Sequence, residues 1–136
     1  MKGSPGVHGN GGFDRSRIFA DGVDSPTAVA CWKGGVFVGS VPHILYLKDT
    51  NGDGVAGVRR VVFTGFARDK AGEAMLNSFR WGLDNRYHVS TNLAGGSVRR
   101  SADPANTGVS VRGRGFVFDP RAGTFELLGR PEAPAR

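Results

Sequence analysis

Three observations predict an all-β fold. First, 22 Gly and 7 Pro in 136 residues make 29 turn formers. That is well above the background of about 12%, and both types are poor in helix interiors. Second, the chain is a series of short apolar runs, rich in β-branched and aromatic residues and bounded by Gly, Pro, Asn or Asp. That is the pattern of short strands. Third, the chain echoes itself at offsets of 44 to 54 residues.

Taken in order, residues 1–13 are Gly-rich and polar and read as a flexible leader. Strand-like runs follow: RIFA at 17–20, TAVACW at 27–32, GVFVG at 35–39 and HILYL at 43–47. An Asp/Asn/Gly-rich stretch then leads into RVVFT at 60–64. One stretch, residues 67–76, tolerates a helix, but it is short and weakly periodic. The runs resume with SFRW at 78–81, RYHV at 86–89, GSVR at 96–99, VSV at 109–111, GFVF at 115–118 and TFEL at 124–127. Residues 130–136 read as a flexible tail, which leaves one domain at 14–129.

The echoes give the architecture. ACWKGGVFVGS at 30–40 resembles FRWGLDNRYHVS at 79–90: each has a Trp, a polar turn and then a strand. Val38 and Val89 are 51 residues apart, and both Ile44 to Val98 and Asp49 to Asp103 span 54. Residues 17–22 echo 61–65, with Phe19 and Phe63 44 apart. Periods near 40 to 50 with several strands each point to propeller blades. A ring needs about four to eight blades. The chain holds two to three, so it forms a partial β-propeller that does not close alone and leaves strand edges unpaired.

Composition excludes several classes. With 39% hydrophobic and 22% charged residues, the chain is too apolar for disorder and too polar for a membrane protein. No transmembrane segment or signal-peptide h-region is legible. The single Cys31 excludes an internal disulfide, a Cys-rich zinc site and a CxxCH haem site, and reads as a buried small hydrophobe. The net charge is +6, but the 14 Arg and 4 Lys are scattered. They read as solvated surface, with no nucleic-acid partner.

The sharpest motif is DTNGDG at 49–54. Asp49, Asn51 and Asp53 offer side-chain oxygens at positions one, three and five, Gly54 follows, and Val55 can add its carbonyl. Hard cations take such oxygens. The ninth and twelfth positions are Gly57 and Arg60, where further oxygens belong. The stretch reads either as a calcium loop or as an Asp/Asn/Gly turn between strands. It also contains a formal GxGxxG at 52–57, but a strand follows where a phosphate-binding helix would be needed. RGRGFVF at 112–118 lacks the aromatics of an RNA-stacking strand. His8, His43 and His88 show no metal spacing, and His88 reads as a strand position that a propeller mouth could use as a base. Trp32, Trp81, Phe37, Tyr87, Phe116, Phe118 and Phe125 read as blade core.

Residues 19–30, 36–39, 44–54, 61–66, 76–85 and 116–126, in this order and spacing, resemble the membrane-bound dehydrogenase domain common in planctomycetes and verrucomicrobia. That domain is similar to the PQQ-dependent glucose/sorbosone dehydrogenase propellers. The resemblance implies a periplasmic or extracellular protein that oxidises a sugar or alcohol with PQQ and calcium, passing electrons to a c-type cytochrome. The implied partners are the rest of a propeller in a parent chain, or further copies of this one. The family's acidic residues are absent at Gly57 and Arg60, and its catalytic His is absent from 75–81. Asn77 and Arg80 are the polar residues nearest that place and the candidates for cofactor contact. The chain alone is therefore expected to be inactive. A non-catalytic carbohydrate- or protein-binding propeller segment, or a truncated product without independent activity, is the alternative.

Overall fold

The computed structural model describes residues 2–3, 7–8, 12–13, 16–67, 76–91, 95–103, 108–112 and 114–129. The tail at 130–136 and most of the helix-tolerant stretch, at 68–75, lie outside the described residues. From the leader, β1 (Lys2–Gly3) pairs with β4 (Arg17–Ile18) beyond it, and β2 (Val7–His8) pairs with β3 (Gly12–Phe13).

The first blade is a meander of β5 (Ala28–Trp32), β6 (Gly35–Ser40), β7 (His43–Lys48) and β8 (Val58–Phe66). Its first turn holds Lys33 at φ 45° and Gly34 at φ 76°. Two consecutive positive-φ residues make the turn whose twist matches a hairpin. The second blade contains β9 (Asn77–Trp81), β10 (Tyr87–Ser90), β13 (Gly115–Asp119) and β14 (Thr124–Leu128), in the spatial order β14-β13-β10-β9. Between β10 and β13 the chain leaves this sheet. There β11 (Gly96–Arg100) and β12 (Val109–Ser110) form a hairpin that joins the first sheet alongside β8.

The fold is thus the all-β, open arrangement expected of a partial propeller. Two open antiparallel sheets, of six and four strands, stand beside the two small pairs β1–β4 and β2–β3, with no helix among the described residues. The echo is kept for the first two strands of each blade, since Val38 lies on β6 and Val89 on β10. It fails at the third. Val98, the counterpart of Ile44, lies on β11 in the other blade's sheet, and β13 takes the third position instead. The edge of β8, expected to be bare, is covered by this hairpin. Covering an exposed edge removes a template for aggregation.

The sheets pack face to face through aromatic rings. Phe37 meets Phe118 at 5.1 Å between centroids, Phe66 meets Phe116 at 5.1 Å, and Phe63 lies 5.3 Å from Phe116. All three pairs are edge-to-face, the arrangement that ring quadrupoles favour. Val98, Val111, Ile44, Val41 and Leu76 complete this core.

The first sheet is buried on its other face too. Val38, Leu45 and Leu47 pack there against Phe19, Ala20 and Val23. Arg59 fastens that cover by donating to the carbonyls of Asp21 (2.6 Å) and Gly22 (2.9 Å). A sheet buried on both faces needs near-continuous apolar strands, and β6 and β7 have them. Phe19 therefore covers the first blade as Phe63 covers the second. This equivalence is what the offset of 44 between them encodes.

The end strands β5 and β9 lie side by side. Trp32 stacks on Trp81 at 5.5 Å, and the hydroxyl of Tyr87 donates to the Cys31 carbonyl at 2.6 Å. The hydroxyls of Thr27 and Ser40 donate to the carbonyls of Leu76 and Asp24. Burial pushes the Tyr87 phenol above its ordinary pKa. Tyr87→Phe keeps the ring and leaves that carbonyl unpartnered by it. The expected cost is about 1 kcal/mol, read as a lower urea midpoint at unchanged slope.

Cys31 and Trp81 depart from the burial that the sequence predicts. Cys31 is exposed rather than buried, because it points to the open face of an end strand. Trp81 is 46% exposed, because it sits at the last position of β9, the end strand of the second sheet. The other named aromatics are buried or packed against the core.

Candidate functional site

The turns after β5, β7, β9 and β13 lie at one end of the sheets. Between the sheets at this end is a cleft of about 300 Å³. Arg60 enters it from β8, Arg100 from the end of β11, and Arg121 from the turn after β13. Phe37 and Phe118 lie at its floor, almost fully buried, and Val62, Ala102, Pro120 and Ala122 complete its apolar lining. A smaller hollow of about 180 Å³, bordered by Trp32, Lys33 and Tyr46, adjoins it and shares Arg60 and Pro120.

Each cation is held. The Arg60 guanidinium lies over the Tyr46 ring at 5.5 Å, and the Lys33 ammonium over Trp32 at 5.7 Å. Arg100 Nε donates to Asp103 at 2.7 Å, and Arg121 donates to the Asn85 carbonyl at 3.3 Å. Asp119 folds its own turn by accepting from the Arg121 and Ala122 amides. Those bonds, the Arg121 amide first, hold its carboxyl below the ordinary value.

The loop at 49–55 brings together the residues expected there. Asp49 accepts from the amides of Asn51, Gly52 and Gly54, Asn51 from Asp53, and Asp53 from Val55. The Gly54 amide is the main cause of a lowered Asp49 pKa. The four oxygen donors suit a hard cation, but Gly57 and Arg60 add none, and Arg60 is turned to Tyr46. Among the described residues, no three His, Cys, Asp or Glu side chains gather as a metal site. The loop closes as a relay of Asx turns.

Asn77 and Arg80 lie on β9, opposite Ser90 and His88 of β10. They border neither the cleft nor its adjoining hollow. One amide and one cation on an end strand do not fit PQQ, a planar cofactor with several carboxylates. His88 is engaged with Asp84 at 3.1 Å, and Arg86 bridges Asp84 (2.9 Å) and Glu126 (3.1 Å). His43 bonds Thr64 across the β7–β8 pair at 2.8 Å.

Acid should loosen this end of the molecule. The carboxyls of Asp49, Asp84 (chiefly through its bond to His88) and Asp119 all sit below the ordinary 3.8. A depressed carboxylate pKa stabilises the fold fully above the unfolded value, and that contribution is lost as pH falls through the folded value. The melting temperature should therefore hold above about pH 5 and fall below about pH 4. Asp84→Asn should flatten that acid limb in a pH series of melts.

Sequence reasoning missed the cleft. Arg60, Arg100 and Arg121 are far apart in the chain, and two of them sit in ordinary Arg-Arg pairs. The only available signal was that each of these two pairs lies at a strand end.

The fold and the cleft define a class of open, stacked antiparallel sheets with a basic groove between neighbours. Residues 7–133 match the family described as Domain of unknown function (DUF7133), and the chain belongs to that family. No curated protein and no solved structure matches it. Among the described residues, no helix is long and apolar enough to cross a membrane.

Proposed function

We propose that the chain supplies blades to a larger propeller of the kind that resembles PQQ-dependent sugar and alcohol dehydrogenases. Oxidation, with electrons leaving to a c-type cytochrome, then belongs to the assembled ring in a periplasmic or extracellular setting. Calcium at the 49–55 loop is part of the same proposal. The observation that supports it is the packing of Phe19–Ala20 and Val23 on the outer face of the first sheet. That is the face on which the outer strand of a neighbouring blade would lie, which supports a stack of more than two sheets in the assembled ring.

The test is sedimentation of the purified chain, followed by dye reduction with PQQ, calcium and a panel of aldoses and alcohols. Expected are species of about two to four chains, enough for the four to eight blades of a ring, with dye reduction confined to them. A cooperatively melting monomer without PQQ affinity overturns the reading. It would favour a non-catalytic binding segment, which is also supported by Asn77 and Arg80 bordering neither hollow.

A further inference from the structure

The geometry points to the cleft between the two sheets as a binding site for a small organic oxyanion. Its charged group would meet Arg60, Arg100 and Arg121, and its flat apolar part would lie against the wall above Phe37 and Phe118. All of these residues come from this chain, so the site does not depend on ring closure.

Three separate segments bring arginines to the lining of one hollow. Like charges brought together repel, and an oxyanion relieves that repulsion. Around the cleft and its adjoining hollow stand four cations, Lys33, Arg60, Arg100 and Arg121, and two carboxylates, Asp103 and Asp119. The carboxylates are engaged in local structure, Asp103 with Arg100 and Asp119 with its own turn. A positive surplus of two therefore faces the space (four less two).

The cations are also pre-oriented. The Tyr46 ring, 5.5 Å from the Arg60 guanidinium, anchors that cation between the cleft and the adjoining hollow. Arg100 uses its Nε donor on Asp103, and Arg121 uses one terminal donor on the Asn85 carbonyl while its Nε lies 3.5 Å from Asp119, so donors remain among the five on each guanidinium. Planar forks of this kind match carboxylate and phosphate oxygens in pairs. The volume of about 300 Å³ suits a small molecule, and the aromatic floor favours one with an apolar body.

Isothermal titration of the whole chain with benzoate and, separately, with inorganic phosphate tests this. Benzoate should bind saturably with a dissociation constant in the millimolar range or below. Arg60→Gln and Arg121→Gln should each weaken it about tenfold. Arg112→Gln removes the same charge away from the cleft and should leave binding within about twofold. Ala102→Glu keeps every arginine, adds a negative charge on the rim and should abolish binding. It provides the test if an arginine variant fails to fold. Tighter binding of benzoate than of phosphate assigns an organic carboxylate. The reverse assigns phosphate or a phosphate ester to the same oxyanion site. No saturable binding of either probe overturns the proposal, as does equal weakening by Arg112→Gln.

Discussion

Phe63→Ala is expected to cost about 3–5 kcal/mol and to lower the melting temperature by roughly 10–20 °C. Phe63 is fully buried. Its ring lies 5.3 Å from Phe116, 5.4 Å from Phe118 and 5.6 Å from Phe125, all in the opposite sheet. Truncation removes both the apolar transfer term and the contacts that join the blades. Neighbouring aromatic rings anchored on two sheets cannot collapse into the space. Phe63→Leu keeps most of the volume and should cost less than half as much. Calorimetry of both variants separates a cavity from a loss of aromatic geometry. Equal costs would count against the cross-sheet packing described here.

Gly65→Ala is expected to cost about 3 kcal/mol or more and to release the β11–β12 hairpin. Gly65 adopts φ 104°, which L side chains rarely take. A methyl group at this position would run into the carbonyl of Ser97, which is backbone and cannot swing aside. It lies where the β8–β11 register shifts between Gly96 and Arg99. The damage should be local. Hydrogen exchange should show lost protection at 96–100 and 63–66, while 115–119 and 124–128 stay protected. Uniform loss across both sheets would mean that the hairpin is integral to the core rather than a cover on an edge. Because Arg100 ends β11, the same variant should also weaken benzoate binding in the cleft.

Much of the strand inventory was legible. GVFVG, HILYL and GFVF are buried strands because continuous apolar runs between turn residues have few other stable uses. The Trp echo was legible too, because the first two strands of each blade meet similar neighbours and so need similar residues. The third strand of the second blade was not. GSVRR at 96–100 and GFVFD at 115–119 both qualify as strands. Which one pairs with β10 depends on backbone hydrogen bonds that carry little side-chain signature.

The exposure of Cys31 and Trp81 was illegible for a related reason. Residue type reports a preference for burial, but Cys31 sits on the outward side of β5 and Trp81 at the last position of β9, and residue type fixes neither placement. The loop at 49–55 was legible in its oxygen pattern, because Asx turns form between residues close in sequence.

The sequence by itself determined the all-β class, the turn positions and the apolar runs that become the buried strands. These follow from local sterics and from apolar periodicity, which act over a few residues. Only the tertiary structure decided that β11–β12 covers the edge of β8, that Phe19 and Phe63 play equivalent parts on successive blades, and that three distant arginines share one cleft. Those outcomes depend on which surfaces remain uncovered after the local elements form. They are fixed by burying apolar area and pairing backbone groups between segments far apart in the chain, which no local pattern records.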